Sequence, residues 1–404
     1  MSPLIPAKLL AKARKVLVIT HLAIGDFTYM QMCFRALKRA HPHLQIHLWV
    51  DERRRSDRPE DWPHLKNYSL YDWLAASPYI DKTYDQNYSP ALHAQSIEAA
   101  QQEQYPLVVS LTHMACHRYA RLARDISPCG FIVGLKKQNY RFFELSKMLG
   151  IRKFDATMPL YESQDKNVAH VSDIYAHWFH RVFGLVIPQW ERYPTIDIPD
   201  QWTEGARQQL TAWGFGAQVV FINAYSKGPE RCWPLERVFD LIREMRAQPH
   251  WREAGFVVNV VPEELQHARA LYDSVALPGT HLFSAEQNFF QLPAMLSLCS
   301  LVVTVETAVM HLANAVHVPV IALMRQNNPE WVPIDRENSA VILVREFGDW
   351  VSQIGLPEVV EKVMNWPLML EYRPHRTPMT HRRRKTEHGW TQQMGQHQAQ
   401  KGSN

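Results

Sequence analysis

The chain has 404 residues, 46% of them hydrophobic and 21% charged. That balance excludes a disordered chain, which lacks the apolar side chains to build a core, and the length suits two domains. A formal charge of only +4 excludes a strong polyanion binder, so nucleic acid is not an expected partner. No run approaches the roughly 20 apolar residues of a membrane-spanning helix. Met1 to Lys15 is basic and amphipathic but lacks the h-region and cleavage site of a secretory signal, so a cytoplasmic protein is expected. Cys33, Cys116, Cys129, Cys232 and Cys299 are scattered and never form C-x-x-C. Buried thiols in a reducing compartment are expected, not disulfides or structural zinc.

Short β-rich apolar runs alternate with helical patterns, which predicts parallel sheets with crossover helices. In the first half Lys15–His21, Gln45–Val50, Leu107–Ser110 and Gly130–Val133 read as strands. Asp26–Ala40, Leu135–Gly150 and Val171–Phe183 read as helices. Prolines at 188, 194 and 199 mark a linker over Val186–Pro199. Beyond it, strands are predicted at Val219–Asn223, Phe256–Val261, Leu301–Val305 and Val320–Leu323. The intervening helices are Leu235–Arg246, Phe290–Ser297 and Thr307–Ala315. The expected division is residues 1–187, 188–366, and a basic tail over 367–404 that is expected to be largely disordered.

Ligands of such sheets bind beyond the carboxyl ends of the strands, so three strand ends draw attention. After the first strand comes His21-Leu22-Ala23-Ile24-Gly25-Asp26, where Gly25 would permit a tight turn. Asp26 at the helix start could accept a proton from an attacking hydroxyl, although an Asp there is also a favoured helix cap. After the first strand of the second half, Ser226, Lys227 and Arg231 offer a hydroxyl and two cations suited to phosphate. At the third, Glu306 and Thr307 precede a helix whose N-terminal N–H groups, near Ala308, suit a diphosphate, with His311 one turn on. Basic loops follow two first-half strands: Arg53, Arg54, Arg55 and Arg58, then Lys136, Lys137 and Arg141. No G-x-G-x-x-G follows either leading strand, which argues against a nicotinamide dehydrogenase.

Together these segments resemble glycosyltransferase family nine, the ADP-heptose:lipopolysaccharide heptosyltransferases. The resemblance is carried by KVLVITHLAIGDFTYMQMCFRALKRAHP, by Arg231-Cys232-Trp233-Pro234-Leu235-Glu236-Arg237, by Val168-Ala169-His170-Val171, and by LVVTVETAVMHLANAVHVPVIAL. It implies an α/β GT-B architecture, two Rossmann-like domains facing across a cleft, with acceptor in the first and nucleotide sugar in the second. It implies inversion by direct displacement, Asp26 as general base, Arg231 and Lys227 against the departing diphosphate, and Glu306 and His311 orienting the donor. Neither a cofactor nor a metal is implied. The partners implied are a nucleotide sugar, ADP-heptose first, and the lipopolysaccharide core, its phosphates or acidic sugars held by the two basic loops. Peripheral contact with an anionic inner membrane through the tail is an accompanying expectation. Three departures fall on the donor side: Glu306 for Asp, Ala308 for Gly, and Met324-Arg325-Gln326-Asn327-Asn328-Pro329 for a Gly-Pro-Thr-like stretch. They leave open another nucleotide sugar, a protein acceptor, or a degenerate binding or scaffold protein.

Overall fold

The computed structural model describes residues 2–51, 55–66, 68–136, 145–160 and 170–365. In the first half α1 (Ala7–Lys12) leads into β1 (Lys15–Thr20), α2 (Ile24–Ala40), β2 (Gln45–Val50), α3 (Trp62–Lys66) and α4 (Leu70–Ala76). There follow β3 (Lys82–Tyr84), α5 (Pro90–Gln102), β4 (Leu107–Ser110), α6 (Cys116–Ile126), β5 (Phe131–Lys136), α7 (Leu145–Ile151), β6 (Ala156–Pro159) and α8 (Val171–Phe183). The second half runs α9 (Asp200–Ala212), β7 (Val219–Asn223), α10 (Leu235–Ala247), β8 (Gly255–Asn259), α11 (Leu265–Val275), β9 (Thr280–Phe283) and α12 (Gln291–Ser297). It closes with β10 (Leu301–Val305), α13 (Ala308–Ala315), β11 (Val320–Met324), β12 (Ser339–Leu343) and α14 (Leu356–Met364).

The strands form two six-stranded sheets in the orders β3-β2-β1-β4-β5-β6 and β12-β11-β10-β7-β8-β9. Every paired strand is parallel. Parallel sheets carry helices on both faces, so their inner strands are apolar throughout. Val16 and Val18 enter one core cluster, while Leu17 and Ile19 between them enter another on the opposite face. In each sheet the chain order reverses once, between β1 and β4 and between β7 and β10, leaving a crevice at the carboxyl ends there.

One of the three core clusters spans both halves. A single cluster takes Val16 and Val18 from the first sheet, Val219 and Phe221 from the second, and Phe27, Trp73, Phe289 and Phe290 from the segments between. The Trp73 ring, from α4, stacks on Phe289 with centroids 4.8 Å apart, and its edge meets Phe27. Phe289 N–H also donates to Asp72 Oδ2 at 2.9 Å. Helix α2 contacts both α8 and α13, and Phe27 through Phe34 are all buried. A helical stretch buried on all sides belongs in an interior, and this one lies at the seam. The expected linker over 186–199 is tied to the first half by Asp173–Arg192 at 2.6 Å and by Arg39–Glu191 at 2.6 Å.

Several expectations are revised. Leu135 and Lys136 continue β5 and are not helical; the helix begins at Leu145, and Lys137 and Arg141 lie outside the described residues. Gly25 lies within α2, so it serves no tight turn. Three cysteines are buried, but Cys232 is half-buried and Cys129 is exposed in the turn before β5. Among the described residues no helix is long and apolar enough to cross a membrane. The tail over 367–404 lies outside the described residues.

Candidate active site

Asp26 sits in the first turn of α2, directly beyond the carboxyl end of β1. Its Oδ2 accepts the Ala23 backbone N–H at 2.9 Å, so it does stabilise the helix start, as a capping carboxylate would. Its Oδ1 accepts from the Tyr175 hydroxyl of α8 at 2.6 Å. Burial pushes its carboxyl above the ordinary carboxylate range. That shift is opposed by the two hydrogen bonds and by the charges of His113 and Lys227. A carboxylate so placed is a stronger base than one in water, because ionisation is costly there and protonation relieves it.

Tyr29, one turn along α2, carries the site across the seam. Its hydroxyl lies 2.9 Å from Nδ1 of His311, on α13. The rings of His170 and His311 meet the Tyr29 ring edge-on at 4.9 and 5.0 Å. A Cβ on Gly25 would stand 3.5 Å from His311 Cδ2, so the turn bearing Asp26 abuts the opposite half directly. Burial, with a smaller push from His170, lowers His311 to about 3, which keeps the imidazole neutral. His170 holds the seam again, with Nε2 3.0 Å from the Val332 carbonyl.

On the second half the three motif loops meet. Ser226, after β7, donates its hydroxyl to the Glu306 carbonyl, after β10, at 3.2 Å and so bridges the crevice where strand order reverses. The Glu306 carboxylate is buried and accepts from Arg325 at the end of β11, through Nε and, at 3.3 Å, the backbone N–H. Arg325 Nη1 is 3.8 Å from Glu230, which is 3.4 Å from Arg231 Nε. Lys227 is exposed and lies over the Tyr68 ring of the first half at 5.4 Å. Thr307 precedes α13 in extended conformation and Ala308 begins the helix, both half-buried beside Glu306.

The basic loops are placed differently. Arg55 donates to Asp51 Oδ1 at 2.6 Å and to the Asn87 carbonyl at 2.8 Å, and its guanidinium lies 2.8 Å from His93 Nδ1. Asp51 Oδ2 accepts from Tyr119 at 2.5 Å, and Tyr119 is 2.5 Å from His21 Nε2. Because Tyr119 donates to Asp51, it accepts from His21, and a polar line runs past the ends of β1 and β2. Arg58 is paired with Asp61 at 2.9 Å, and Lys136 is exposed at the end of β5. Arg53, Arg54 and Lys137 lie outside the described residues. The structure therefore gathers Ser226, Arg231, Glu306, Thr307 and Ala308 at one crevice, and Asp26 and His311 at the seam.

Sequence reasoning missed Tyr29, Tyr175 and the line from His21 to Arg55, and marked Arg325 only as a departure without a role. Asp51 and Arg325 carried a usable signal, since Asp51 directly follows the predicted strand Gln45–Val50 and Arg325 lies two residues beyond the predicted strand Val320–Leu323. Tyr29 and Tyr175 carried none, being aromatic positions on helices whose neighbours only the fold supplies.

The comparisons bear on the family and the fold. The sequence profile of glycosyltransferase family 9 (heptosyltransferase) matches residues 140–349. Among curated proteins none matches the sequence. A family 9 glycosyltransferase from Veillonella parvula superposes with TM-score 0.66 at 16% identity, over 90% of this chain and 99% of that one. E. coli ADP-heptose lipopolysaccharide heptosyltransferase II superposes with TM-score 0.63 at 15% identity, over 88% and 99%. E. coli heptosyltransferase WaaC with ADP gives 0.58 at 17%, over 87% and 97%. Identities this low speak for the fold: two facing Rossmann-like sheets in the GT-B arrangement.

Proposed function

The chain belongs to glycosyltransferase family 9, and from that premise we propose that it transfers a sugar, with inversion and without a metal, from a nucleotide donor to a hydroxyl. ADP-heptose is the first candidate donor and the lipopolysaccharide core the first candidate acceptor. Asp26 takes the acceptor's hydroxyl proton as that oxygen forms its bond to the anomeric carbon from the face opposite the leaving group. The anomeric carbon–oxygen bond breaks and its electron pair leaves with the diphosphate. Charge therefore moves from Asp26 to the second half, where the arginines at the crevice and the N–H groups opening α13 meet it. Neutral His311 is suited to donate a hydrogen bond without competing for the proton.

One observation carries this reading. A carboxylate raised by burial lies one helical turn from a tyrosine that is hydrogen-bonded to the first turns of the opposite half's strand-end helix. Base and donor helix are thereby held in fixed relation, as in-line displacement requires. The test is nucleoside diphosphate release from ADP-heptose with a core acceptor, comparing wild type with Asp26→Asn. Loss of turnover with donor affinity kept is expected; undiminished turnover in the variant eliminates Asp26 as base.

A second reading keeps the reaction and changes the donor sugar or its nucleotide. It rests on Glu306, whose carboxylate is buried and holds Arg325 through both of its oxygens. A thermal-shift screen of nucleotide sugars separates the two, because the true donor raises the melting temperature by mass action. A scaffold without catalysis would bind none of them. Action on the cytoplasmic face of the inner membrane, with the basic tail against anionic lipid, belongs to the same proposal.

A further inference from the structure

Four charged side chains alternate in sign at the β7–β10–β11 crevice: Glu306, Arg325, Glu230 and Arg231. Their contacts are unequal. Arg325 is firmly held by Glu306, which takes both its Nε and its backbone N–H. Glu230 is loosely held. Its Oε1 stands 3.8 Å from Arg325 Nη1 and 3.4 Å from Arg231 Nε, and forms a hydrogen bond with neither. Arg231 Nε is buried and makes no hydrogen bond among the described residues. The Glu230 carboxylate reaches this position by folding over Gly228, where a Cβ would come within 2.4 Å of its Oε2. Two guanidinium groups thus face one carboxylate that neither grips, beside the opening of α13.

We propose that Arg325 and Arg231 form the seat for the donor's diphosphate and that Glu230 fills this seat until a donor displaces it. The proposal rests on the nucleotide-donor reading above and adds two residues' roles to it. Glu306 is the positioning residue, anchoring Arg325 by Nε so that its terminal nitrogens remain for the ligand. The pairing also unites two of the sequence departures, since Glu306 and Arg325 satisfy one another. With Glu230 in place the four charges sum to zero. With Glu230 swung out the crevice carries one net positive charge and two bidentate-capable donors for phosphate oxygens.

The two arms of the test move in opposite directions. Binding of ADP, UDP and inorganic pyrophosphate to the full chain is measured by calorimetry at low salt. Glu230→Gln removes the competing charge and should tighten pyrophosphate and at least one nucleotide by about tenfold. Glu306→Gln/Arg325→Gln removes both paired charges together, which leaves neither without its partner, and should weaken the same ligands by about tenfold or more. Gly228→Ala, which crowds the folded-back carboxylate, should act like Glu230→Gln. Wild-type nucleotide binding that neither Glu230→Gln nor the double variant changes overturns this proposal and leaves the donor reading standing. Failure of all three ligands to bind wild type and Glu230→Gln alike overturns both.

Discussion

Tyr175→Phe isolates the environment of Asp26 from its identity. The substitution removes one hydroxyl and keeps the buried ring. What is lost is an O–H donating at 2.6 Å to the Asp26 carboxylate. A hydrogen bond to a charged group contributes about 1.5–3 kcal/mol, equivalent to roughly ten- to hundredfold in an equilibrium constant. The loss falls mainly on the ionised form, because the bond helps hold down a carboxyl that burial raises. In the folded wild type that carboxyl titrates above its ordinary value of 3.8, so its contribution to stability is complete below that value and is lost as pH rises through the folded pKa. Removing Tyr175 raises the folded pKa further, and the variant should fall further behind wild type as pH rises. Urea unfolding at several pH values reads this directly: a small deficit while Asp26 is protonated, growing towards about 1.5–3 kcal/mol once it is ionised. In turnover, the acid limb of the pH–rate profile should move to higher pH. A stability deficit that is constant with pH, together with an unmoved acid limb, would refute the reasoning.

Other substitutions probe the frame. Trp73→Ala deletes the ring stacked on Phe289 and should cost about 3–5 kcal/mol in urea unfolding; a loss under about 1 kcal/mol would mean that the halves are held elsewhere. Gly134→Ala in β5 would bring a Cβ within 2.1 Å of the Phe154 ring and should cost about 1–3 kcal/mol, with Phe154→Leu restoring much of it. His311 is lowered from 6.5 to about 3, so the unfolded chain takes up its proton first as pH falls. Between those values its contribution should erode stability by up to about 1.4 kcal/mol per pH unit. His311→Gln should lose that part of the pH slope, and an unchanged slope would show that the histidine titrates normally.

The inner strands were legible in the sequence because both their faces are covered, so Val16–Ile19, Leu107–Val109 and Leu301–Val303 are apolar without interruption. The four strands that escaped, β3, β6, β9 and β12, are the outermost of each sheet. Lys82-Thr83-Tyr84 and Thr280-His281-Leu282-Phe283 are short and half-exposed, and each pairs along one edge alone, so neither needs the unbroken apolar run of an inner strand. At the site, Asp26, Ser226, Arg231 and Glu306 could be found because strand ends are where such sheets place ligands. What those residues touch could not. Glu306 was legible as an acid and Arg325 as a departure, but their pairing depends on β10 and β11 lying side by side. Arg55 was legible as a cation, and only the fold shows it committed to Asp51 and His93.

The shared core also bears on how the chain is made. Phe27 and Trp73 belong to the first half, but the aromatic surface that covers Trp73 arrives with Phe289, whose N–H bonds Asp72 across 217 residues of sequence. At about 5–20 residues per second, a nascent chain spends roughly 10–40 s with that tryptophan face already synthesised and its cover still to come. During this interval the first half can complete its own sheet but not its outer surface. The seam that joins α2 to α13 in the finished protein is thus a sticky patch on the emerging one, the place where a ribosome-associated chaperone has most to protect.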